Sequence, residues 1–167
     1  MTRLLLVALA ASTLSACGAQ GTGPLGPASG SPDSEAIVRT VYEGFAAGDM
    51  AMATARFAED VEWREADGHP YAEGNPYVGA DDVIGGVFAR FGQDWSGFAA
   101  VPELFVSEGD DVVVLGRYAG SYTPTGGSVD APFAHVWTVE DGEITSYRQF
   151  TDTLAWNKAM GTLPPAD

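Results

Sequence analysis

Hydrophobic positions recur with two different periods along the chain, and the change of period separates a helical part from a strand-rich part. Apolar residues over 37–45 have helical spacing, in a helix expected to begin near Pro32 and to end at Gly48. A second, shorter helix is expected after the N-cap residue Asp49. Asp81 opens a third helix, whose predicted inner face is formed by Val83, Val87, Phe88 and Phe91.

After the third helix the hydrophobic period falls to two, which indicates strands. Strands are predicted at 103–107, 111–122, 132–139 and 143–151, and a shorter one at 61–64 precedes a Pro- and Gly-rich loop over 67–79. Asp152 suits the cap of a last helix that ends at Gly161. Helices followed by antiparallel strands predict an α+β fold, with the helices packed on one side of a curved sheet.

The clearest predicted hairpin turns at Glu140-Asp141-Gly142, which suits a three-residue loop that ends in a glycine at positive φ. This register places Tyr147 opposite His135, whereas a two-residue loop would place Arg148 there. With the three-residue loop, one face of the hairpin combines aromatic and imidazole rings with one amide: Phe133, His135, Trp137, Tyr147 and Gln149.

The N-terminal segment has the features of an export signal. Arg3 precedes an apolar stretch that is too short to span a membrane, so residues 1–16 are interpreted as a signal peptide. Leu14-Ser15-Ala16-Cys17 resembles the lipobox of bacterial lipoproteins, and this resemblance implies that Cys17 carries a lipid after cleavage. The alternative is an ordinary signal peptide with a coincidental cysteine. Residues 17–33 form a flexible linker, residues 34–162 the domain, and 163–167 a tail.

Charge and residue usage narrow the classes of partner. After Cys17 there are seven basic and 23 acidic residues, a formal charge of −16, which disfavours nucleic-acid binding and leaves the lipid as the expected link to a membrane. The domain has no cysteine, and its two histidines are far apart in sequence, so no metal site is predicted. No motif for a cofactor is present, and none is expected.

Four stretches of the chain form a combination that is informative about its family: DVEW at 60–63, HPYAEGNPYVGADDV at 69–83, VVVLGRYAG at 112–120 and FAHVWTVEDGEITSYRQFTDT at 133–153. Together they resemble the SnoaL-like, ketosteroid-isomerase-related proteins of the nuclear-transport-factor-2-like superfamily. The resemblance implies a cone-shaped, curved antiparallel sheet that wraps around a pocket closed by three N-terminal helices. It also implies a possible homodimer, and it leaves the activity open, because members of this superfamily include enzymes and non-catalytic binders.

The pocket is expected to take a small apolar molecule through Trp63, Phe133, Trp137, Tyr147 and Gln149, although these side chains can equally be core residues. The polyketide cyclases of the family pair a histidine with a carboxylate base on the next strand. Here Gln149 occupies that position and cannot accept a proton at neutral pH. This substitution favours a non-catalytic binding module that is anchored outside the cytoplasm.

The alternative is an acid/base enzyme of isomerase, cyclase or hydratase type. In that hypothesis His135 transfers the proton, because its side chain titrates near neutral pH. Asp152 supplies a substitute carboxylate, although a helix cap is the simpler role for it. His69 is expected to be a solvated residue of the loop, which can act as a lid over the mouth of the cone.

Overall fold

The computed structural model describes residues 34–163. Five α-helices and six strands in this range form an α+β fold, and four of the strands follow one another along the chain. Two helices come first, and a third helical stretch contains a π-helical segment, Ile84–Phe88, between α3 and α4. The elements are α1 Ser34–Ala47, α2 Met50–Thr54, β1 Phe57–Arg64, β2 Tyr77–Val78, α3 Ala80–Val83, α4 Ala89–Asp94, β3 Trp95–Glu108, β4 Asp111–Tyr122, β5 Gly127–Glu140, β6 Glu143–Thr151 and α5 Thr153–Met160.

Some predicted features lie outside the described residues. These are the signal peptide, Cys17, the linker, the Ser31-Pro32 helix start and the tail after residue 163. Among residues 34–163, none of the helices is long and apolar enough to cross a membrane.

The six strands form one curved, unclosed sheet in the order β2-β1-β6-β5-β4-β3. All neighbouring strands are antiparallel except β1 and β6, which are parallel. Irregular pairing in β3, near Gly97 and again near Glu103, bends this long strand. The predicted α+β class and the curved sheet with packed helices are confirmed.

The strand predicted at 103–107 is only the end of β3, which begins at Trp95. Two interruptions of the pairing with β4 break the alternation of apolar and polar residues, so only the last part of the strand has a clear period of two. The predicted strand at 132–139 is likewise longer, because β5 begins at Gly127.

The predicted hairpin loop is wrong in length. Glu140 pairs with Glu143, so the loop has two residues, Asp141 and Gly142, with φ of 51° and 84°. Two positive φ values are the requirement of a type I′ turn, which Asp-Gly satisfies well. Pairing then shifts by one residue in β6, and Thr145 is left without a partner.

This bulge preserves the predicted face of the hairpin. Its extra residue offsets the shorter loop, so the same side chains of β6 face the same side of the sheet as predicted. The residue opposite His135 is Gln149 and not Tyr147 or Arg148. Tyr147 lies opposite Trp137. The five predicted side chains are all buried on the concave side of the sheet.

The C-terminal helix α5 packs on β5 and closes one end of the curved sheet. A Cβ atom at Gly127 would lie 2.3 Å from the backbone oxygen of Ala159, so glycine is required for this close approach. Trp156 of the same helix is fully buried and contacts the rings of His69 and Tyr118.

Candidate functional site

A cavity of about 40 Å³ lies between the concave face of the sheet and the helices α1 and α4. Its walls are mostly aromatic, and a few polar groups reach it from β1, β4, β5 and β6. The lining side chains are Val41, Tyr42, Phe45, Trp63, Glu65, Phe88, Phe91, Phe98, Ala100, Tyr118, His135, Trp137, Tyr147 and Gln149. Apolar walls with a few converging polar groups are typical of sites for small organic molecules.

His135 lies at the centre of the polar groups and contacts a tyrosine through each ring nitrogen. The hydroxyl of Tyr42 is 2.7 Å from Nδ1, and that of Tyr118 is 2.5 Å from Nε2. Burial holds the pKa of His135 well below its usual value, so the ring is neutral at physiological pH. A neutral ring has one N–H and one acceptor nitrogen, so it accepts a hydrogen bond from one tyrosine and donates a hydrogen bond to the other.

Gln149 is held from both ends of its amide group. Its Oε1 accepts the backbone N–H of Ala66 at 3.1 Å, and its Nε2 donates to the hydroxyl of Tyr118 at 2.9 Å. The backbone N–H can only donate, which fixes the amide orientation. Gln149 therefore holds the hydroxyl of Tyr118 in position.

Glu65 is a buried carboxyl group in this cavity, one residue beyond β1. Its Oε1 accepts the indole N–H of Trp63 at 2.7 Å, while Oε2 has no hydrogen-bond partner within residues 34–163. Asn75 fixes its backbone through two hydrogen bonds, one from the Glu65 N–H and one to its carbonyl oxygen. Burial raises the pKa of Glu65 to about 7 despite the indole N–H, so it exchanges a proton near neutral pH.

Most of the predicted site residues line the cavity: Trp63, His135, Trp137, Tyr147 and Gln149. Phe133 is buried beside it and stacks on the ring of His135, with centroids 3.9 Å apart, but it is not a lining residue. The structure does not bring Asp152 to the cavity. Asp152 is exposed and caps α5, because its Oδ1 accepts the Ala155 N–H at 3.2 Å.

His69 is buried, which corrects the expectation of a solvated loop residue. Its Nδ1 accepts the backbone N–H of Tyr71 at 3.1 Å, and its ring packs against Trp156. Burial lowers the pKa of His69 to about 3 and keeps the ring neutral. The side chain therefore anchors the loop to the core.

Sequence reasoning missed three polar groups of the cavity: Tyr42, Glu65 and Tyr118. One signal for Glu65 was present, since it follows Trp63 by two residues and shares its face if the strand is extended. Tyr118 also had a signal, because it alternates with the buried Val112 and Val114 along β4. Tyr42 had none, since its contact with His135, 93 residues away, depends on how α1 lies across the curved sheet.

Four phenylalanines separate the cavity from a surface groove of about 550 Å³, because the same rings line both: Phe45, Phe88, Phe91 and Phe98. Phe45 meets the other three edge-on, with centroids 5.5 to 6.3 Å apart. The groove also touches the π-helical segment, a kind of irregularity that is frequent at functional sites.

Within the described range, no three histidine or acidic side chains are grouped so that they could hold a metal ion. Two arginines of the sheet lie on the surface, away from the cavity. Arg117 pairs with Asp130 at 2.6 Å on the surface, and Arg148 is exposed.

Comparison with known proteins identifies the family. The SnoaL-like domain matches residues 38–147, about two thirds of the chain. The chain belongs to the SnoaL-like family. Among solved structures, this SnoaL-like chain is similar to an NTF2-like protein of Burkholderia thailandensis, with 37% identity, a TM-score of 0.73, and coverage of 78% of this chain and 98% of that one.

Two further structures share the fold of the SnoaL-like chain. An NTF2-like protein of unknown function from Burkholderia pseudomallei has 29% identity and a TM-score of 0.69, with 76% and 96% of the two chains covered. TerC, co-crystallised with polyporic acid, has 26% identity and a TM-score of 0.68, with 77% and 98% covered. Among curated proteins, none matches the chain significantly.

Proposed function

We propose that this SnoaL-like domain binds a small, mainly apolar organic molecule in its aromatic cavity. The observation that carries the proposal is the lining of the cavity, in which aromatic walls surround a space of about 40 Å³ and a few oriented polar groups reach it. TerC, which has the same fold, was co-crystallised with polyporic acid, and this supports a ligand-binding role for the domain.

Purification of residues 31–167 from the native organism, followed by native mass spectrometry, tests this proposal. A co-purified small molecule, or a rise in melting temperature with small aromatic compounds, is the expected result. Ala100→Phe should abolish binding, because the new ring would fill the cavity. Ala119→Phe, at an exposed position of β4, is the matched control. An empty wild-type domain that responds to no compound would contradict the proposal.

We further propose that the domain works outside the cytoplasm, held at the cell membrane by a lipid on Cys17. The signal-like residues 1–16 and the lipobox-like Leu14-Ser15-Ala16-Cys17 support this location. A lipid anchor with two or more acyl chains gives stable attachment. Cys17→Ser should release the protein from the membrane fraction, and membrane retention of this variant would refute the anchor.

Glu65 favours a second candidate function, acid/base catalysis on the bound molecule. A buried carboxyl group with a pKa of about 7 and an unpaired oxygen can both accept and return a proton near neutral pH. In this candidate Glu65 takes the carboxylate role that the sequence suggested for Asp152. If turnover of a ligand is found, Glu65→Gln should abolish it and Asp152→Asn should not. The opposite pattern would reject Glu65 as the catalytic group.

A further inference from the structure

Glu65 is a buried carboxyl group without a cationic partner in the described part of the chain. No lysine or arginine of that part lines the cavity, and Arg90, whose charge acts on Glu65, pairs with Glu73 at 2.8 Å. Nδ1 of His69 lies 3.7 Å from Oε2 of Glu65, but it already accepts the backbone N–H of Tyr71 and cannot donate to the carboxyl group. A buried carboxylate without a positive partner is costly, so the empty cavity favours the protonated form of Glu65.

The walls around this carboxyl group are mostly aromatic rings. Four phenylalanines, three tyrosines and two tryptophans make up nine of the fourteen lining residues. The face of an aromatic ring attracts a cation, and the attraction is stronger where water is excluded. Trp63 connects the two features, because its ring lines the cavity and its indole N–H donates to Oε1 of Glu65 at 2.7 Å. Aromatic walls together with one unpaired acidic group suit an organic cation better than a neutral molecule.

The volume of the cavity limits the size of this cation. A space of about 40 Å³ holds on the order of three water molecules, which is too little for a fused ring system. A methylated ammonium group is compact enough to match it. Its methyl groups also cover the charge with apolar surface, which suits the aromatic walls.

We propose that the cavity binds a small organic cation with a methylated ammonium group, which the aromatic rings surround and the ionised Glu65 balances. The inference rests on the proposed binding function and adds the charge and size of the ligand to it. Glu65 is then the counter-ion of the ligand. Because the empty cavity favours the protonated carboxyl group, binding of the cation releases the Glu65 proton to the solvent.

A matched pair of compounds tests the charge of the ligand. Tetramethylammonium and tert-butanol have nearly the same size and tetrahedral shape, but only tetramethylammonium is charged. In calorimetric titrations of the full-length protein at pH 8 and equal ionic strength, the cation should bind at least about tenfold more tightly. Equal or tighter binding of tert-butanol would overturn the inference and leave the binding function intact. Binding of neither compound would also overturn it, and the co-purification experiment would still decide the binding function separately.

The pH dependence of binding is a second test, because tetramethylammonium itself does not titrate. The cation requires the ionised carboxyl group, so its affinity should fall about tenfold per pH unit below about pH 7, the pKa of Glu65, and be constant above it. An affinity that does not change between pH 5.5 and 8 would overturn the inference. Arg90 stays charged over this range. Burial lowers the pKa of the nearby histidines and raises the pKa of the nearby tyrosines, so these groups stay neutral: His69, His135, Tyr42, Tyr77, Tyr118 and Tyr147.

Glu65→Gln should remove both the preference for the cation and its pH dependence, because glutamine has a similar shape and no charge. Glu62→Gln is the control, since it removes an exposed carboxylate from the same part of β1 and should retain both. This control accounts for the general attraction of cations to a chain with a formal charge of −15. Loss of the preference in both variants, or in neither, would overturn the role of Glu65. If Glu65→Gln fails to fold, the wild-type preference and its pH dependence still decide the question.

Discussion

The indole N–H of Trp63 donates to the carboxyl group of Glu65 at 2.7 Å, within a cavity that is otherwise mostly aromatic. Burial outweighs this hydrogen bond and the smaller effects of Gln149 and of the Arg90 charge, and the pKa of Glu65 is raised from 4.5 to about 7. The folded state therefore holds a proton that the unfolded state loses above about pH 4.5. Stability should fall as the pH rises from about 4.5 to 7, and then level off.

Glu65→Gln should remove this part of the pH dependence. The wild type loses stability over this range and the variant does not. The difference in free energy of unfolding, variant minus wild type, should therefore rise by up to about 3 kcal/mol between pH 4.5 and 8, as measured by urea unfolding. Glu62→Gln is the control, because Glu62 is exposed one residue before Trp63. A parallel pH profile for wild type and Glu65→Gln would show that the carboxyl group is ionised normally.

The sequence allowed the sheet face of the cavity to be predicted because it depends on alternation alone. His135, Trp137 and Tyr147 follow a period of two, and the prediction survived an incorrect loop length because the bulge at Thr145 offset it. Such a compensation has no local signal, since Thr145 fits a regular strand as well as a bulge. The opposite partner of His135 was therefore assigned wrongly.

The helical side of the site was less predictable. Tyr42 belongs to the apolar face of α1, and the helical spacing predicts a core position for it. The structure confirms that Tyr42 is buried. Its hydrogen bond to His135 depends on the crossing of α1 over β5, a three-dimensional relationship that periodicity does not contain. Glu65 was missed because the predicted strand stopped at residue 64.

Asp152 should matter for stability rather than for chemistry. Asp152→Ala should lower the free energy of unfolding by about 1 kcal/mol, because the N-terminal turn of α5 would lose its side-chain acceptor. Asp152→Asn retains an acceptor oxygen and should have little effect. Equilibrium unfolding in urea checks both variants. A large loss of stability in Asp152→Asn would mean that the negative charge itself is needed.

The two-residue hairpin loop can be tested with a pair of glycine substitutions that should have opposite effects. Gly142→Ala should destabilise the domain by about 1 kcal/mol, because its φ of 84° is unfavourable for a side chain. Gly92→Ala, within α4 and with no atom near the added methyl, should stabilise it by a few tenths to about 1 kcal/mol. Thermal unfolding measures both changes, and a neutral Gly142→Ala would argue against the type I′ turn.

The phenylalanines shared by the groove and the cavity predict how a ligand enters. Phe45 is only half-buried, and its truncation in Phe45→Ala would open a path from the surface groove to the cavity. For a small aromatic compound that binds the wild type, association and dissociation should both become faster, with a smaller change in affinity, because the wall limits access more than it holds the ligand. Stopped-flow fluorescence of Trp63 and Trp137 can follow both rates.

Phe150→Ala is the control for this experiment, because it removes a ring from an exposed position on the sheet. Its rates should equal those of the wild type. Phe45→Ala should also lower the free energy of unfolding by about 1–3 kcal/mol, so rates must be compared where both proteins are fully folded. If the association rate is unchanged in Phe45→Ala, the ligand enters by another route and the phenylalanines act only as core.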